Sequence, residues 1–244
     1  MEKINYLKKA YDSNGYVVVK NFVNLNKVKN IKHSLLDYIK KNHSLLKKKD
    51  AAIIKKNNTI NSISNLKKWN YVRKMQNTKK IKNLAKIFLG KKIKNFGAEL
   101  FAKPAKVGLP APIHQDNHYW HLLDNKGITI WIALDESNKK NGAVFYYKKS
   151  HRAGLLKHKL SKVIGLSQEL KNKKILKKFE KVTPNLEPGD ALVHNCMIVH
   201  GSNKNLSKFS RTGLTMRFIS LNSKFNIIKK KKYELDLSKF LKKN

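Results

Sequence analysis

Two histidines and one aspartate have the residue types and the spacing of a metal site. His114 and Asp116 lie two positions apart in the segment 112–118. If that segment is a strand, both side chains point to one face, because side chains alternate along a strand with a period of two. His200, much later in the chain, is the candidate third ligand. Two imidazoles and one carboxylate form the 2-His-1-carboxylate triad, which suits Fe(II) and leaves coordination positions open.

The open positions of such a site could take a bidentate 2-oxo acid and O2, and the far carboxylate of the oxo acid needs a cation. Arg211 follows His200 after a polar turn at 203–210. A strand returning from Arg211 is expected to lie beside the strand of His200, and the guanidinium could bind the carboxylate through two hydrogen bonds. Arg217 has the same parity. It would lie about 20 Å farther along an unbroken strand, so Arg211 is the preferred anchor.

A rival metal site uses His114, His118 and His121, whose i, i+4, i+7 spacing would place them on one helical face that could hold zinc. Neighbouring prolines and the lack of a His-Glu-x-x-His pattern count against it. On a strand, His118 would instead share the face of Asp116 and border the site. Trp120 and His118 are therefore the candidate substrate contacts.

The elements that must position these residues change in kind near residue 94. Before it, the pattern predicts a strand at 16–19 and helices at 25–41 and 78–89, and it leaves 44–75 unassigned. After it, short strand-like runs are separated by Pro, Gly and Asn, which indicates helices packed on a β-sandwich or barrel. The predicted strands are 96–103, 112–118, 128–134, 143–147, 181–183, 190–194, 197–201 and 212–220.

Length and composition indicate one soluble domain. The chain has 244 residues, of which 41% are hydrophobic, and this is enough to bury a core. The single cysteine, Cys196, excludes an internal disulfide framework and a cysteine-rich zinc site. No apolar run is long enough for a membrane helix, and the N-terminus does not resemble a secretory signal. The expected location is the cytoplasm, with no membrane partner.

The formal charge of +39 suggests a nucleic-acid partner, but the kind of basic residue does not. Only four of the 54 basic residues are arginine, the residue whose planar fork matches phosphate. The lysines are spread over the whole chain together with abundant asparagine and isoleucine. We interpret them mainly as a solvated surface, and nucleic acid is not the expected partner.

Further motifs occur in a fixed order around the candidate site. They are 15–22, 103–104 ahead of 112–116, 129–135, 141–143, 150–151 (where lysines replace an expected Pro-Gly), 187–190, and 200–202 ahead of Arg211. Together they resemble the phytanoyl-CoA dioxygenase family of Fe(II)/2-oxoglutarate oxygenases, over most of the chain.

The resemblance implies a mainly β fold with flanking helices, a double-stranded β-helix (jelly roll) of the cupin type. It implies one domain over 1–244. Within that domain the residue pattern indicates a helical N-terminal part at about 1–92, a core at about 93–221 and a basic tail at 229–244. It also indicates a lysine-rich, partly helical insertion at about 152–180, which could equally be a lid or a surface excursion. The resemblance also implies roles for individual residues. These are His114, Asp116 and His200 as iron ligands, Arg211 as the 2-oxoglutarate anchor, Thr129 and Trp131 as pocket lining, and Ser202 as support for the far carboxylate.

The implied activity is hydroxylation of a small molecule, with Fe(II), 2-oxoglutarate and O2 as cofactor and cosubstrates. The carboxylate of Asp116 favours hydroxylation over halogenation, because related halogenases lack it. Two alternatives stay open. One is a non-catalytic cupin-like binding protein, which would show no substrate-dependent turnover. The other is an oxygenase acting on nucleic acid, which would carry a basic stripe at the mouth of the site and bind with steep salt dependence.

Overall fold

The computed structural model describes residues 2–46, 50–54, 59–161, 163 and 168–243. The ends of the predicted domain, Met1 and Asn244, and parts of the predicted insertion (162 and 164–167) therefore lie outside the described residues. The described α-helices are α1 (Glu2–Asn14), α2 (Leu25–Leu45), α3 (Asn70–Gln76), α4 (Lys79–Leu89), α5 (Asn117–Trp120) and α6 (Ile227–Lys243). None of them has both the length and the apolar composition to cross a membrane.

Thirteen described strands form two main antiparallel sheets and a small hairpin. The strands are β1 (Tyr16–Val19), β2 (Ala51–Ile54), β3 (Thr59–Ile63), β4 (Ile93–Lys103), β5 (Ala111–His114), β6 (Gly127–Ala133), β7 (Val144–Tyr147), β8 (His158–Leu160), β9 (Gln168–Leu170), β10 (Lys181–Val182), β11 (Ala191–Asn195), β12 (His200–Ser202) and β13 (Arg211–Ser220). The seven-stranded sheet has the order β1-β11-β6-β13-β4-β3-β2, and the four-stranded sheet has the order β10-β7-β12-β5. This arrangement confirms the predicted jelly-roll architecture.

Strand β6 shows how the seven-stranded sheet serves both the core and the site. All seven of its residues are buried. Ile128, Ile130 and Ile132 face the helices and belong to the main apolar core. Thr129 and Trp131 alternate with them and therefore point to the other face, where they line a cavity.

The helices cover the outer face of this sheet because their apolar residues recur at helical spacing. In α4, Ile81, Leu84 and Ala85 are buried in the same core as the isoleucines of β6. The Thr78 side chain caps the start of α4 by accepting from the Ile81 backbone, and Gly90, with φ of 84°, ends it. The sheet thus has a rigid backing, on which the cavity-facing side chains are held.

Two predictions about the strands that carry the site are wrong. The strand predicted at 112–118 ends at His114, and Asp116 already has helical backbone angles at the start of α5. The alternation argument for the His114–Asp116 pair therefore does not apply, although the two residues do meet. Arg211 also does not lie beside His200, since β13 pairs with β4 and β6 in the seven-stranded sheet, whereas β12 pairs with β5 and β7 in the other.

Three other regions differ from expectation. The unassigned segment 44–75 contributes the hairpin β2–β3, which extends the seven-stranded sheet, and the helix α3. The insertion at 152–180, expected to be partly helical, contains the hairpin β8–β9 and short 3-10 turns. The tail at 229–244 is rich in lysine, as expected, but it lies largely in the helix α6, which was not predicted. These segments are rich in lysine and asparagine, which interrupt the apolar periodicity on which sequence prediction depends.

Candidate active site

His114 and His200 come together because their strands are neighbours. They are direct cross-strand partners on β5 and β12, and their ring centroids lie 4.3 Å apart. The Nδ1 atom of His114 is 2.7 Å from the Pro112 carbonyl, and that of His200 is 3.0 Å from the Ile198 carbonyl. Since a carbonyl only accepts, both Nδ1 atoms donate, and both Nε2 atoms keep the lone pair that a metal needs.

Asp116 completes the cluster from the loop beyond β5. Its Oδ1 atom is 3.7 Å from Nε2 of His114 and 3.8 Å from Nε2 of His200. One donor atom from each of the three residues lies within 4.8 Å of the others, and no other described residues form such a cluster. The second carboxylate oxygen of Asp116, Oδ2, accepts a hydrogen bond from Thr129 Oγ1 at 2.8 Å. One carboxylate oxygen is thus held by the protein, and the other faces the two imidazoles.

His194 is a member of the site that the sequence did not reveal. It lies on β11, and its Nε2 donates to Asp116 Oδ2 at 3.1 Å. Its Nδ1 therefore accepts from the Tyr146 hydroxyl, 2.8 Å away. Tyr146 lies on β7, so this chain of hydrogen bonds joins the two sheets behind the triad. The parity of His194 with His200 was the available signal, but parity alone did not show that its strand crosses the same cavity.

The protonation states of the triad suit a divalent cation. Burial would raise the pKa of Asp116, but the hydrogen bond from His194 and the surrounding imidazoles hold this pKa well below its usual value. Burial and the neighbouring His114 lower the pKa of His200 to about 3. At neutral pH the triad therefore offers an ionised carboxylate and a neutral His200 imidazole, which are metal-binding forms.

Arg211 faces the same cavity from the opposite sheet. It is only 1% exposed, its Nη2 donates to the Gly142 carbonyl, and its guanidinium lies 5.3 Å from the Trp131 ring centroid. Its Nε is buried without a hydrogen-bond partner among the described residues. Burial lowers its pKa to about 10, which still leaves it charged at neutral pH. A buried cation with a free donor has the capacity to bind a carboxylate.

Three further predicted residues lie around Arg211 or the triad. Thr129, Trp131 and Ser202 all line the cavity, and all three are buried. Trp131 fits because Gly213 is its neighbour on β13, where a Cβ atom would come within 1.8 Å of the indole. The structure thus places Thr129 at the His-Asp-His cluster and Trp131 beside Arg211.

The two predicted substrate contacts do not line this cavity in the described structure. The helical turn α5 replaces the expected strand and redirects both side chains. Trp120 is 4% exposed and packs in a small core against Phe96. The His118 ring stacks on His158, with centroids 4.1 Å apart. The rival zinc site is also not formed, since only the His-Asp-His cluster above brings ligand atoms together among the described residues.

Lys103 and Glu99 are charged cavity residues that the sequence did not select, and Arg217, the less favoured anchor candidate, lines the same cavity. Lys103 is the cross-strand partner of Arg211, and its Nζ donates to the carbonyls of Leu109, at 2.7 Å, and Asn203. Burial and the nearby Arg211 lower its pKa to about 6. Glu99 and Arg217 form an ion pair on the cavity wall. The strands that carry Glu99 and Arg217 were predicted. The packing of the two sheets against each other, which brings these side chains near the triad, is a feature of the tertiary structure.

Comparison with known proteins agrees with this geometry. A profile of the family described as phytanoyl-CoA dioxygenase (PhyH) matches residues 11–213, most of the chain. The chain belongs to the phytanoyl-CoA dioxygenase family. Phytanoyl-CoA dioxygenase 1 of Oryza sativa is 29% identical over 121 residues, which are 49% of this chain and 42% of the rice protein. Ectoine dioxygenase of Sphingopyxis alaskensis is 24% identical over 137 residues, 50% of this chain and 45% of that protein. The chain thus matches less than half the length of each.

Solved structures similar to this family member share its fold. EctD from S. alaskensis with bound Fe superposes with a TM-score of 0.75 at 19% identity, covering 90% of this chain and 77% of EctD. The non-heme alpha-ketoglutarate-dependent epimerase SnoN from nogalamycin biosynthesis superposes with a TM-score of 0.70 at 17% identity, covering 92% and 85% of the two chains. EctD has also been solved with 2-oxoglutarate and 5-hydroxyectoine.

Proposed function

We propose that this protein is an Fe(II)- and 2-oxoglutarate-dependent dioxygenase that hydroxylates a C–H bond of a small molecule. One observation carries the proposal, namely that the three-residue cluster and the buried Arg211 face one cavity, with the two histidines and the arginine on opposite sheets. Family membership supports it, and relatives named for phytanoyl-CoA and ectoine suggest small-molecule substrates.

The donor set fits Fe(II). His114, Asp116 and His200 would each supply one ligand atom, and two nitrogens with one oxygen are the donor set of non-heme iron oxygenases. Thr129 and His194 would hold the second carboxylate oxygen, so that Asp116 presents Oδ1 alone. Such supporting hydrogen bonds orient a ligand and tune its basicity.

The opposite wall fits 2-oxoglutarate. Arg211 has a buried Nε without a partner among the described residues, and this is the kind of donor that a carboxylate satisfies. Ser202 lines the same cavity from β12 and offers a hydroxyl. Trp131 supports the guanidinium from one side, and we expect it to fix the direction of the cosubstrate.

When bound, iron and 2-oxoglutarate supply the oxidation, in which O2 converts 2-oxoglutarate to succinate and CO2 and oxygen enters a substrate C–H bond. The protein's own residues bind, orient and exclude water. Arg211 neutralises the far carboxylate, and the bonds to Asp116 keep the triad in place. The apolar Phe101, Leu109 and Val144 line part of the cavity and limit the access of water there.

Anaerobic titration tests the proposal. Purified protein is titrated with Fe(II) and then with 2-oxoglutarate while visible absorption is recorded. Chelation of the oxo acid to the iron should produce a weak visible charge-transfer band, and succinate release after admission of air should follow. A His33→Ala variant, which changes an exposed histidine that lies 3.6 Å from Asp37, is the control and should behave as the wild type.

Metal binding without the band would contradict the proposal and favour the non-catalytic binding protein, and the assignment of Arg211 would fail with it. Turnover that requires DNA or RNA would favour the nucleic-acid alternative, and binding would then weaken steeply with salt. Mass analysis of the product separates hydroxylation, which adds one oxygen atom, from epimerisation, which adds none.

A further inference from the structure

Arg217 and Glu99 form an ion pair inside the cavity that the proposed chemistry does not use. Their side chains are 20% and 23% exposed, and both line the same cavity as the triad. Arg217 has five N–H donors, and within the described chain Glu99 is its one ion-pair partner. Both side chains line the cavity and are partly exposed, so both keep capacity for a ligand.

The fold fixes this pair in place. The register of β13 against β4 shifts between Arg217 and Phe218, a bulge of the kind that redirects side chains next to active sites. Gln76, buried on α3, donates to the backbone carbonyls of Arg217 and Gly97 at 3.1 Å each and thereby ties both strands at the bulge. The indole of Trp120 lies 5.7 Å behind the guanidinium. The pair is therefore preorganised.

The pair also lies close to the metal cluster. Arg217 is the cross-strand partner of Thr129, whose hydroxyl holds Asp116. Arg211 lies six residues away on the same face of β13, near the other end of the cavity. The two arginines therefore have separate tasks, with Arg211 at the proposed 2-oxoglutarate end and Arg217 at the part of the cavity left for the substrate.

Charge balance narrows the chemistry of that substrate. With iron and 2-oxoglutarate bound, the charges of the metal, Asp116, the two cosubstrate carboxylates and Arg211 cancel. Lys103 is turned toward two backbone carbonyls and pairs across the strands with Arg211, so any charge that it takes up lies at the Arg211 end of the cavity. What remains is one anion and one cation side by side, and an ion pair that is desolvated against an apolar ligand would be costly. A ligand with a cation and an anion of its own satisfies both.

We propose that Glu99 and Arg217 recognise a small zwitterionic substrate of the amino-acid class, with Glu99 binding its ammonium group and Arg217 its carboxylate. This inference rests on the proposed function and names its substrate class. It disfavours acyl-CoA substrates, because the apolar acyl chain that would enter the cavity leaves both charges of the pair without a partner. The inference also assigns substrate binding to the charged pair, which lies against the Trp120 ring, and not to Trp120 itself.

Calorimetry on the anaerobic Fe(II)/2-oxoglutarate complex tests the inference by binding, without turnover. The probes are the free amino acids, each matched with analogues that lack one charge; for L-proline these are tetrahydrofuran-2-carboxylate and pyrrolidine. Hexanoyl-CoA is the anionic comparison. We expect at least one zwitterion to bind about tenfold or more tightly than both of its analogues. Binding of no zwitterion, equal binding of a singly charged analogue, or tighter binding of hexanoyl-CoA overturns the inference.

Two variants separate recognition from a structural role. In Glu99→Gln, the zwitterion should bind no more tightly than the carboxylate-only analogue. In Arg217→Gln, the zwitterion should bind no more tightly than the amine-only analogue. An equal loss for all probes would mean that the pair is only structural. Glu99→Asp and Arg217→Lys keep the charges and replace the neutral variants if those do not fold. Glu180→Gln removes an exposed ion pair with Lys148 and is the control.

The visible band of the Fe(II)/2-oxoglutarate complex keeps the two proposals apart. It should persist in every one of these variants, because neither Glu99 nor Arg217 contributes to the triad or to the Arg211 contact. If the wild type lacks the band, the proposed function fails. If the band is present and zwitterions do not bind, only the substrate assignment fails.

Discussion

The two sheets contribute different chemistry to one cavity. The four-stranded sheet brings His114 and His200 together as cross-strand neighbours on short strands. The seven-stranded sheet has long strands backed by helices, and it carries the cations and the hydrogen bonds that hold Asp116. Asp116 belongs to neither sheet and joins them from a loop.

This division follows from what each task needs. A metal requires lone pairs within a few ångströms, and two adjacent strands provide that spacing directly. A buried arginine such as Arg211 requires a rigid, well-packed support, because its desolvation is costly. The hydrogen bond between Tyr146 and His194 then ties the two sheets together behind the triad.

The largest effect is expected from removing a metal-ligand candidate on the four-stranded sheet. His200→Ala should weaken Fe(II) binding by more than about 100-fold, because a ligand is lost rather than a supporting bond. Equilibrium dialysis with Fe(II) under anaerobic conditions measures it. The melting temperature of the metal-free protein should stay close to that of the wild type, and retained iron binding would show that His200 is not a ligand.

Arg211→Gln should impair only the contribution of the seven-stranded sheet, which is the binding of 2-oxoglutarate. The KM for 2-oxoglutarate should rise by about 10- to 100-fold, since a hydrogen-bonded charge pair is lost, while Fe(II) affinity stays unchanged. Steady-state succinate release measures the KM. Arg73→Gln, an exposed arginine on α3, is the matched control. An unchanged KM would move the anchor away from Arg211.

Gly213→Ala tests the packing that supports Arg211. The new Cβ would collide with the Trp131 indole, so stability should fall by about 1–3 kcal/mol, measured by urea unfolding. Gly97→Ala on the neighbouring strand is the control, because its Cβ would meet only Arg217 side-chain atoms at 4.0 Å. Equal stability of both variants would show that Trp131 has room to move.

Thr129→Val tests the link between the sheets. It removes the hydroxyl that donates to Asp116 Oδ2 and keeps the shape of the side chain. We expect Fe(II) affinity to fall by about tenfold, less than for the loss of a ligand. The same dialysis measurement compares the two variants, and a loss as large as that of His200→Ala would contradict a purely supporting role.

Lys103 should make 2-oxoglutarate binding depend on pH. Its pKa of about 6 means that it is largely neutral at pH 7 in the free protein. A bound dianion favours the charged form and raises this pKa, so binding takes up a proton and affinity falls as pH rises above 6. Calorimetry in two buffers of different ionisation enthalpy should detect the uptake, and Lys103→Met should abolish it. Equal heats in both buffers for the wild type would refute the linkage.

The sequence predicted the fold class and most of the strands of the core, because apolar alternation and turn residues are local signals. It selected His114, Asp116, His200, Thr129 and Arg211, all of which face one cavity. It was wrong about how they meet, since the strand of His114 ends before Asp116 and Arg211 lies in the opposite sheet. The prediction of a single domain over 1–244 stays a prediction.

Residues that local pattern could not assign are those whose role depends on closure of the two sheets. His194 and Glu99 each look ordinary in sequence, and Trp120 looks like a pocket residue until α5 turns it into the core. The sequence by itself determined which donor types are present and in what order. Only the tertiary structure decided which of them share a cavity, because hydrogen bonds and charges act over a few ångströms between residues that lie up to a hundred or more positions apart.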